Sequence, residues 1–297
     1  MTPISIVLIL LSALFHALWN YFSKASRSPQ LFFFWIGIFT MGVAIVAFAI
    51  RVPIIPRTVW IYMIASGLVH LVYWFSLSRA YMSGEISYVY PIARSAPGFL
   101  PIFAFFFLGE KLSAQGWVGI FCIMFSIYLL QQRGSGVTFK KLFQYMRQPD
   151  SIWAFSTLGT VISYSIIDKK GMSEFHAHST QPHAWAAVTY YLVEGIIALV
   201  LYTTYIASCF PRREIAEVGR SEWKTIIVSG SLAMISYTLI LYVLMTEMLS
   251  YTAALRQCSV IFAVLLGGYA LKESYTKLRL AAAFVMVIGM FLISTSG

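Results

Sequence analysis

The chain has 297 residues, of which 59% are apolar and 11% are charged, and its formal net charge is +10. Soluble domains carry about 25% charged residues, so this chain has too little charged surface to cover a water-facing globule. The composition excludes a soluble enzyme and predicts a polytopic membrane protein. The basic residues lie mostly between apolar runs, which favours contact with anionic lipid over nucleic acid, since nucleic-acid binding needs a basic face on a soluble module.

Ten apolar segments follow one another, and crossing a bilayer takes roughly 20 such residues per helix. In chain order they are residues 3–23, 31–50, 58–80, 86–108, 114–131, 152–167, 184–207, 223–246, 251–271 and 277–294. Backbone polar groups in lipid must be paired within each span, and these runs lack the alternation of barrel strands. We therefore predict an all-α membrane protein with ten transmembrane helices. The first segment has no Lys or Arg ahead of it, so we expect a span there and not a signal peptide.

An internal repeat relates the two halves of the chain. A shift of 163 residues aligns residues 60–110 with 223–273 and gives ten identities in 51 ungapped positions, where chance gives about three. They include Trp60/Trp223, Ser66/Ser229, Gly67/Gly230, Ser87/Ser250, Tyr88/Tyr251 and Glu110/Glu273. The repeat unit is five helices, an odd number, so the second copy enters the membrane from the opposite side. Inverted halves are a recurrent design of secondary transporters, although a duplicated structural protein has the same pattern.

The repeat divides the chain into three parts. Residues 1–131 form the first predicted five-helix repeat, residues 132–150 a basic linker, and residues 151–297 the second five-helix repeat. This arrangement leaves no room for a separate catalytic domain, and no nucleotide-binding motif is present. We therefore expect a transporter and not an enzyme.

Short motifs at corresponding places of the two halves point to a family. Residues 16–20 read His-Ala-Leu-Trp-Asn, and Gly109-Glu110-Lys111 closes the fourth segment. The second half echoes them with Tyr164 to Asp168-Lys169 at its first span and Lys272-Glu273 at its fourth. Over essentially its whole length the chain resembles the EamA-type branch of the drug/metabolite transporter superfamily. The resemblance implies an alternating-access carrier of amino acids, other metabolites or drugs, with no bound cofactor. We expect it as a monomer or homodimer in the bacterial cytoplasmic (inner) membrane.

Polar residues recur on one face of the first segment. His16 and Asn20 are one helical turn apart, and Trp19 lies on the same face. The face is either an interhelical hydrogen-bond seam, with about 0.6 kcal/mol per bond, or the lining of a cavity. His16 is also a candidate proton carrier, because the charge of histidine changes near neutral pH.

Ionisable residues inside the other segments are the strongest candidates for a site, since each costs at least ~2.5–3.5 kcal/mol in the bilayer core. Arg94 lies beside Pro91 and Pro97, which interrupt helical hydrogen bonds, and Arg256 has a related position in the second half. Two such arginines favour a carboxylate, phosphate or phosphonate group. Glu194 either pairs with an arginine, binds an ammonium group or carries a proton.

Asp168 and Lys169 follow the sixth segment, and we interpret them as interfacial anchors. The histidines at positions 176, 178 and 183 lack carboxylate or cysteine partners at metal-ligand spacing, so we expect no metal site.

These observations predict a secondary transporter of a small polar organic metabolite with an anionic or zwitterionic group, amino-acid-like or phosphonate-like. The alternative is a proton-coupled exporter of cationic or hydrophobic amines and drugs, with Glu194 and aromatic rings as its cage. The expected partners are the small-molecule substrate, a coupling proton and the lipid bilayer. The candidate substrate-binding residues are His16, Trp19, Asn20, Trp74, Tyr88, Arg94, Tyr164, Glu194, Tyr237, Arg256 and Gln257.

Two arguments about membrane orientation disagree. The family resemblance implies that both termini are cytoplasmic. With that orientation the outer loops hold fourteen Lys and Arg residues and the inner loops five. Because basic loops favour the cytoplasm, the charge count places both termini outside. Both arguments put the termini on one side, and the sequence leaves that side open.

Overall fold

The computed structural model describes residues 1–83, 92, 95–131, 147, 151–259 and 277–296. Within these ranges the chain forms helices and no strand, which confirms the all-α prediction. In chain order the helices are α1 (Pro3–Ala25), α2 (Pro29–Ile50), α3 (Arg57–Ser83), α4 (Ala96–Leu108), α5 (Ala114–Gln131), α6 (Ser151–His178), α7 (His183–Cys209), α8 (Arg212–Ser221), α9 (Trp223–Leu244), α10 (Leu249–Arg256) and α11 (Lys277–Ser294).

Five of the described helices are long and apolar enough to cross a membrane, namely α1, α2, α3, α7 and α9. Shorter apolar stretches lie in α4, α5 and α11. Large apolar side chains such as Ile50, Phe121 and Phe284 are exposed on the outside of the bundle, as lipid contact requires. Ten spans in two inverted repeats stay a prediction.

Local sequence explains several helix ends. Thr2 precedes α1, and its hydroxyl accepts a hydrogen bond from the backbone N–H of Ser5 at 3.1 Å, which satisfies a donor that the first turn leaves unpaired. Gly109 ends α4 with φ of 68°, a left-handed conformation that favours glycine. Buried Glu110 then accepts the backbone N–H groups of Leu249 and Ser250 at 2.6 and 3.1 Å. The end of α4 therefore caps the start of α10 in the other half.

Each half of the chain makes the same kind of helix contact with the other half. Helix α3 packs against α6 and α7, and α9 packs against α1 and α2. A Cβ at Gly67 of α3 would lie 2.9 Å from the carbonyl oxygen of Glu194 in α7, and one at Gly230 of α9 would lie 2.5 Å from Phe39 in α2. Both glycines therefore allow a close approach to the second helix of the opposite half, and they are identical in the sequence repeat.

Helix α6 differs from the prediction. It continues to His178 instead of ending near residue 167, and Asp168 is fully buried within it. The Nζ atom of Lys169 donates to the backbone oxygens of Leu244 and Glu247 at 2.8 and 2.9 Å, at the end of α9. The interpretation of Asp168 as an interfacial anchor is wrong, because tertiary partners satisfy its side chain inside the protein. Lys169 is only partly buried, and its position at the interface stays a prediction.

The predicted basic linker at residues 132–150 lies outside the described residues except for Arg147. The predicted ninth segment is described only up to residue 259.

Candidate functional site

One cavity opens between helices of both halves. Its empty space is about 850 Å³, including the part that opens to the outside, within the roughly 300–1,000 Å³ of small-molecule sites. Helices α1, α2, α3, α6, α7, α9 and α10 all contribute to it. The lining residues are His16, Trp19, Phe33, Ile36, Gly37, Thr40, His70, Tyr73, Trp74, Tyr164, Tyr191, Glu194, Gly195, Ala233, Tyr237 and Arg256.

His16, Trp19 and Arg256 form what we call the cationic end of the cavity. The indole N–H of Trp19 donates to Nδ1 of His16 at 3.2 Å, and Nη2 of Arg256 lies 3.3 Å from the same nitrogen. Because both neighbours are donors, Nδ1 accepts and the ring hydrogen is on Nε2. In this arrangement the acceptor nitrogen of His16 is used by Trp19 and Arg256, and the Nε2 hydrogen can be donated. The guanidinium group and the imidazole N–H suit an anionic group.

The polar face predicted on the first segment divides between two roles. Ser12 donates to the backbone oxygen of Ser236 at 2.7 Å, and the hydroxyl of Ser236 donates to the backbone oxygen of Ser12 at 2.9 Å. These bonds join α1 to α9 as an interhelical seam. One turn further along, His16 and Trp19 line the cavity.

Ser66, Asp168, Tyr190, Glu194 and Tyr237 form a second cluster, which we call the acidic network. The hydroxyl oxygen of Ser66 lies 2.5 Å from Oδ1 of Asp168 and 2.9 Å from Oε2 of Glu194. Asp168 also accepts the hydroxyls of Tyr190, at 3.2 Å, and Tyr237. Glu194 reaches the cavity, whereas Asp168 lies behind it. The network joins α3, α6, α7 and α9.

Aromatic rings supply most of the remaining wall. His70 stacks on Tyr164 with ring centroids 4.3 Å apart, and Tyr237 meets His70 edge-on at 5.5 Å. The guanidinium carbon of Arg256 lies 5.4 Å from the centroid of the Tyr237 ring, within the range of a cation–π contact. The walls therefore suit an organic body that lies between charged groups. Among the described residues, no group of three or more His, Cys, Asp or Glu side chains is arranged to hold a metal ion.

Comparison with known proteins finds similarity to a transporter family in the first part of the chain. The model of the EamA-like transporter family matches residues 3–131. This match covers less than half of the chain and shows that its first part is similar to the family. A curated relative from Sinorhizobium sp, named "Uncharacterized transporter in cobO 3'region", is 33% identical over 76 residues, which are 26% of this chain and 54% of that protein. The match to this relative therefore spans about half of its length.

A solved crystal structure, titled as that of a protein, matches 99% of this chain and 98% of its own chain, with a TM-score of 0.73 and 17% identity. At this identity the similarity shows the fold alone. Over residues 3–131 the family match confirms the resemblance to the EamA-type branch of the drug/metabolite transporter superfamily. Together with the apolar helices, it identifies an integral membrane protein.

The structure brings most of the candidate residues to one place. Seven of them line the cavity: His16, Trp19, Trp74, Tyr164, Glu194, Tyr237 and Arg256. Tyr88 and Arg94 lie outside the described residues. That the seven residues bind a substrate stays a prediction.

Two other candidates lie beside the cavity. The Asn20 side chain donates to the backbone oxygen of His16 at 2.7 Å, within its own helix, and is not among the lining residues. Gln257 lines a neighbouring cavity of about 470 Å³, which shares the side chains of Tyr164, Tyr237 and Arg256 with the first cavity.

Sequence reasoning missed Ser66 and Asp168, which join the acidic network, and it gave His70 no part in a site. A signal for Asp168 was available, because it follows the aromatic Tyr164 by one helical turn. No comparable signal marked Ser66, since small polar residues are common in membrane helices and their partners depend on helix packing.

Proposed function

We propose that the chain is a secondary transporter that carries a small zwitterionic metabolite across the bacterial cytoplasmic membrane by alternating access. The similarity of its first part to the EamA-like transporter family and the transporter named among its relatives support transport. The exchange-related helix contacts and the sequence repeat support two inverted five-helix halves. The cavity lies between these halves and is the substrate site.

One observation carries the choice of substrate: Arg256 and Glu194 line the same cavity, with aromatic rings between the helices that hold them. A zwitterion of the amino-acid type presents a carboxylate to Arg256 and the N–H of His16. Its ammonium group is complementary to Glu194, and its organic body packs on the rings. A phosphonate or phosphate with an amino group satisfies the same charges.

The alternative substrate is a cationic or hydrophobic amine. Glu194 and the aromatic rings favour it, since a cage of this kind binds ammonium groups. Arg256 opposes it, because a guanidinium group in the same cavity repels a cation that has no acidic group to compensate.

Three probes that share a phenyl group but differ in charge distinguish a zwitterionic from a cationic substrate. L-Phenylalanine carries both charges, phenethylamine carries only the ammonium, and 3-phenylpropanoate carries only the carboxylate. A ligand that binds only the folded protein raises its melting temperature, so each probe is added to purified protein in detergent and uptake of the binding probe is then measured in proteoliposomes. We expect phenylalanine to give the largest shift. An equal or larger shift with phenethylamine would establish the alternative.

A variant at Arg256 tests where the carboxylate binds. Hydrogen bonds to charged groups contribute about 1.5–3 kcal/mol, so Arg256→Gln should weaken binding of phenylalanine roughly 10- to 150-fold. Arg220→Gln, which removes a charge from α8 away from the cavity, is the matched control and should bind normally. Equal binding by the Arg256 variant and wild type would contradict the assignment of the carboxylate.

A further inference from the structure

The hydroxyl of Ser66 lies near two carboxyl oxygens but has only one hydrogen to donate. Its oxygen lies within hydrogen-bond distance of both Asp168 and Glu194, but a serine hydroxyl carries a single hydrogen. Nδ1 of His70 lies 3.0 Å from the backbone oxygen of Ser66, which can only accept, so this nitrogen carries the imidazole hydrogen. His70 therefore does not accept from Ser66 Oγ, 3.2 Å away. One of the two carboxyl contacts lacks a hydrogen unless that carboxyl supplies it.

The hydrogen-bond partners decide which carboxyl supplies the hydrogen. Asp168 accepts from Ser66, Tyr190 and Tyr237, as an ionised carboxylate does. The carboxyl group of Glu194 has no hydrogen-bond partner in the described residues other than Ser66. With the proton on Oε2 of Glu194, that group donates to Ser66, and Ser66 donates to Asp168. Every contact then has its hydrogen.

The burial of both carboxyl groups also indicates that they hold one proton between them. Asp168 is 0% exposed and Glu194 is 3% exposed. Across the described ranges, no lysine or arginine nitrogen lies within 4.0 Å of either carboxyl group. Two ionised carboxylates on one hydroxyl would place like charges together away from water, which is strongly unfavourable. A single proton between them removes one of the two charges.

Other polar groups face Asp168 and Glu194 from neighbouring helices, and none of them changes the number of protons that the two carboxyl groups share. His70 of α3 lies 4.0 Å from Glu194 and directs its Nδ1 hydrogen to a backbone oxygen. Tyr190 of α7 and Tyr237 of α9 donate to Asp168. Arg256 of α10 packs on the Tyr237 ring and contacts His16. Lys169 of α6 donates to backbone oxygens at the end of α9.

We infer that Asp168, Ser66 and Glu194 share one buried proton, held on Glu194, and that an ammonium group entering the cavity displaces it. The displacement rests on the proposed function, whereas the shared proton does not. In this step the O–H bond of Glu194 breaks, its electron pair stays on the carboxylate, and the proton passes to water in the cavity. The ammonium group then compensates the carboxylate, so charge is conserved.

The displacement also changes how the helices are joined. Loss of the proton removes the hydrogen bond from Glu194 of α7 to Ser66 of α3, while the bond from Ser66 to Asp168 of α6 stays. Helix α7 then loses its hydrogen bond to α3 in this network and keeps only the one from Tyr190 to Asp168 of α6. Substrate binding and helix rearrangement are linked through a single hydrogen atom.

Infrared spectroscopy tests the proton without any substrate. A protonated carboxylic acid has a carbonyl stretching band distinct from that of a carboxylate, and the band shifts in D₂O. We expect the purified protein at neutral pH to show this band. Glu194→Gln should lose it, because the protonated carboxyl group is removed and the glutamine amide takes its place as the donor to Ser66. Glu247→Gln is the matched control, since Glu247 accepts the backbone N–H of Thr2 at 2.9 Å, and it should keep the band. A band of equal intensity in the Glu194 variant would overturn the inference.

A second measurement tests the displacement. L-Phenylalanine is added to the protein in weakly buffered detergent solution with a pH-sensitive dye, and proton release is compared with binding. We expect wild type to release a proton for each bound molecule and Glu194→Gln to release none. Binding to wild type without proton release would refute the displacement. If the infrared band is present but phenylalanine does not bind, the shared proton stands and the proposed substrate class is wrong.

Discussion

Ser66 and Ser229 offer a matched test of the acidic network, because the repeat places them at equivalent positions and both are fully buried. Their surroundings differ. Ser66 contacts two carboxyl groups, whereas the hydroxyl of Ser229 has no hydrogen-bond partner among the described residues. The same substitution, serine to alanine, should therefore have opposite consequences in the two halves.

The magnitudes follow from the partners. Hydrogen bonds to charged groups contribute about 1.5–3 kcal/mol, and a buried polar group left unpaired costs about 1–3 kcal/mol. Ser66→Ala leaves Glu194 without its partner and removes one of the three donors to Asp168, so we expect a loss of about 2–4 kcal/mol in the free energy of unfolding. Ser229→Ala removes a hydroxyl that is buried without a partner, so it should be neutral or stabilising by up to ~1 kcal/mol.

Denaturant unfolding in detergent micelles, followed by tryptophan fluorescence, measures both variants against wild type. Equal destabilisation by the two substitutions would show that the hydroxyls matter only for packing. An unchanged stability of Ser66→Ala would show that the acidic network does not hold α3, α6 and α7 together.

Two further substitutions test contacts between the halves in the same assay. Gly289→Ala should lower the free energy of unfolding by about 1–3 kcal/mol, because its Cβ would lie 2.7 Å from the carbonyl oxygen of Gly119 in the facing helix. Gly42→Ala is the control, since a Cβ there would have nothing within 4 Å. A similar loss of stability in the control would refute the steric reason. Glu110→Ala should cost about 2–4 kcal/mol, because the N–H groups at the start of α10 lose their acceptor, and a stability within error of wild type would contradict the cap.

The positions of most helices were predictable because continuous apolar runs have few other stable forms in lipid. The predicted segments 184–207 and 223–246 correspond closely to α7 (His183–Cys209) and α9 (Trp223–Leu244). The end of α6 was not predictable in the same way. Asp168 and Lys169 look like the polar end of a span, and only partners from distant helices keep Asp168 inside the protein.

The same distinction holds for the cavity. Glu194 and Arg256 were conspicuous because isolated charges in apolar segments are costly and therefore need a reason. Ser66 carried no such signal, and neither did the tautomer of His16. Both depend on the rotation and register of packed helices, which the hydrophobic pattern leaves undetermined.

The close helix approaches at Gly67 and Gly230 have a consequence for how this chain can vary. At either position any side chain would meet atoms of the opposite half at less than 3 Å. One residue earlier, Ser66 bonds to carboxyl groups, whereas the hydroxyl of Ser229 has no hydrogen-bond partner among the described residues. The duplicated framework thus fixes two points of steric intolerance and leaves the chemistry beside them free to diverge. A map of tolerated substitutions along the chain would include minima at both glycines, separated by the repeat length, a record of the duplication that outlasts the resemblance of the surrounding side chains.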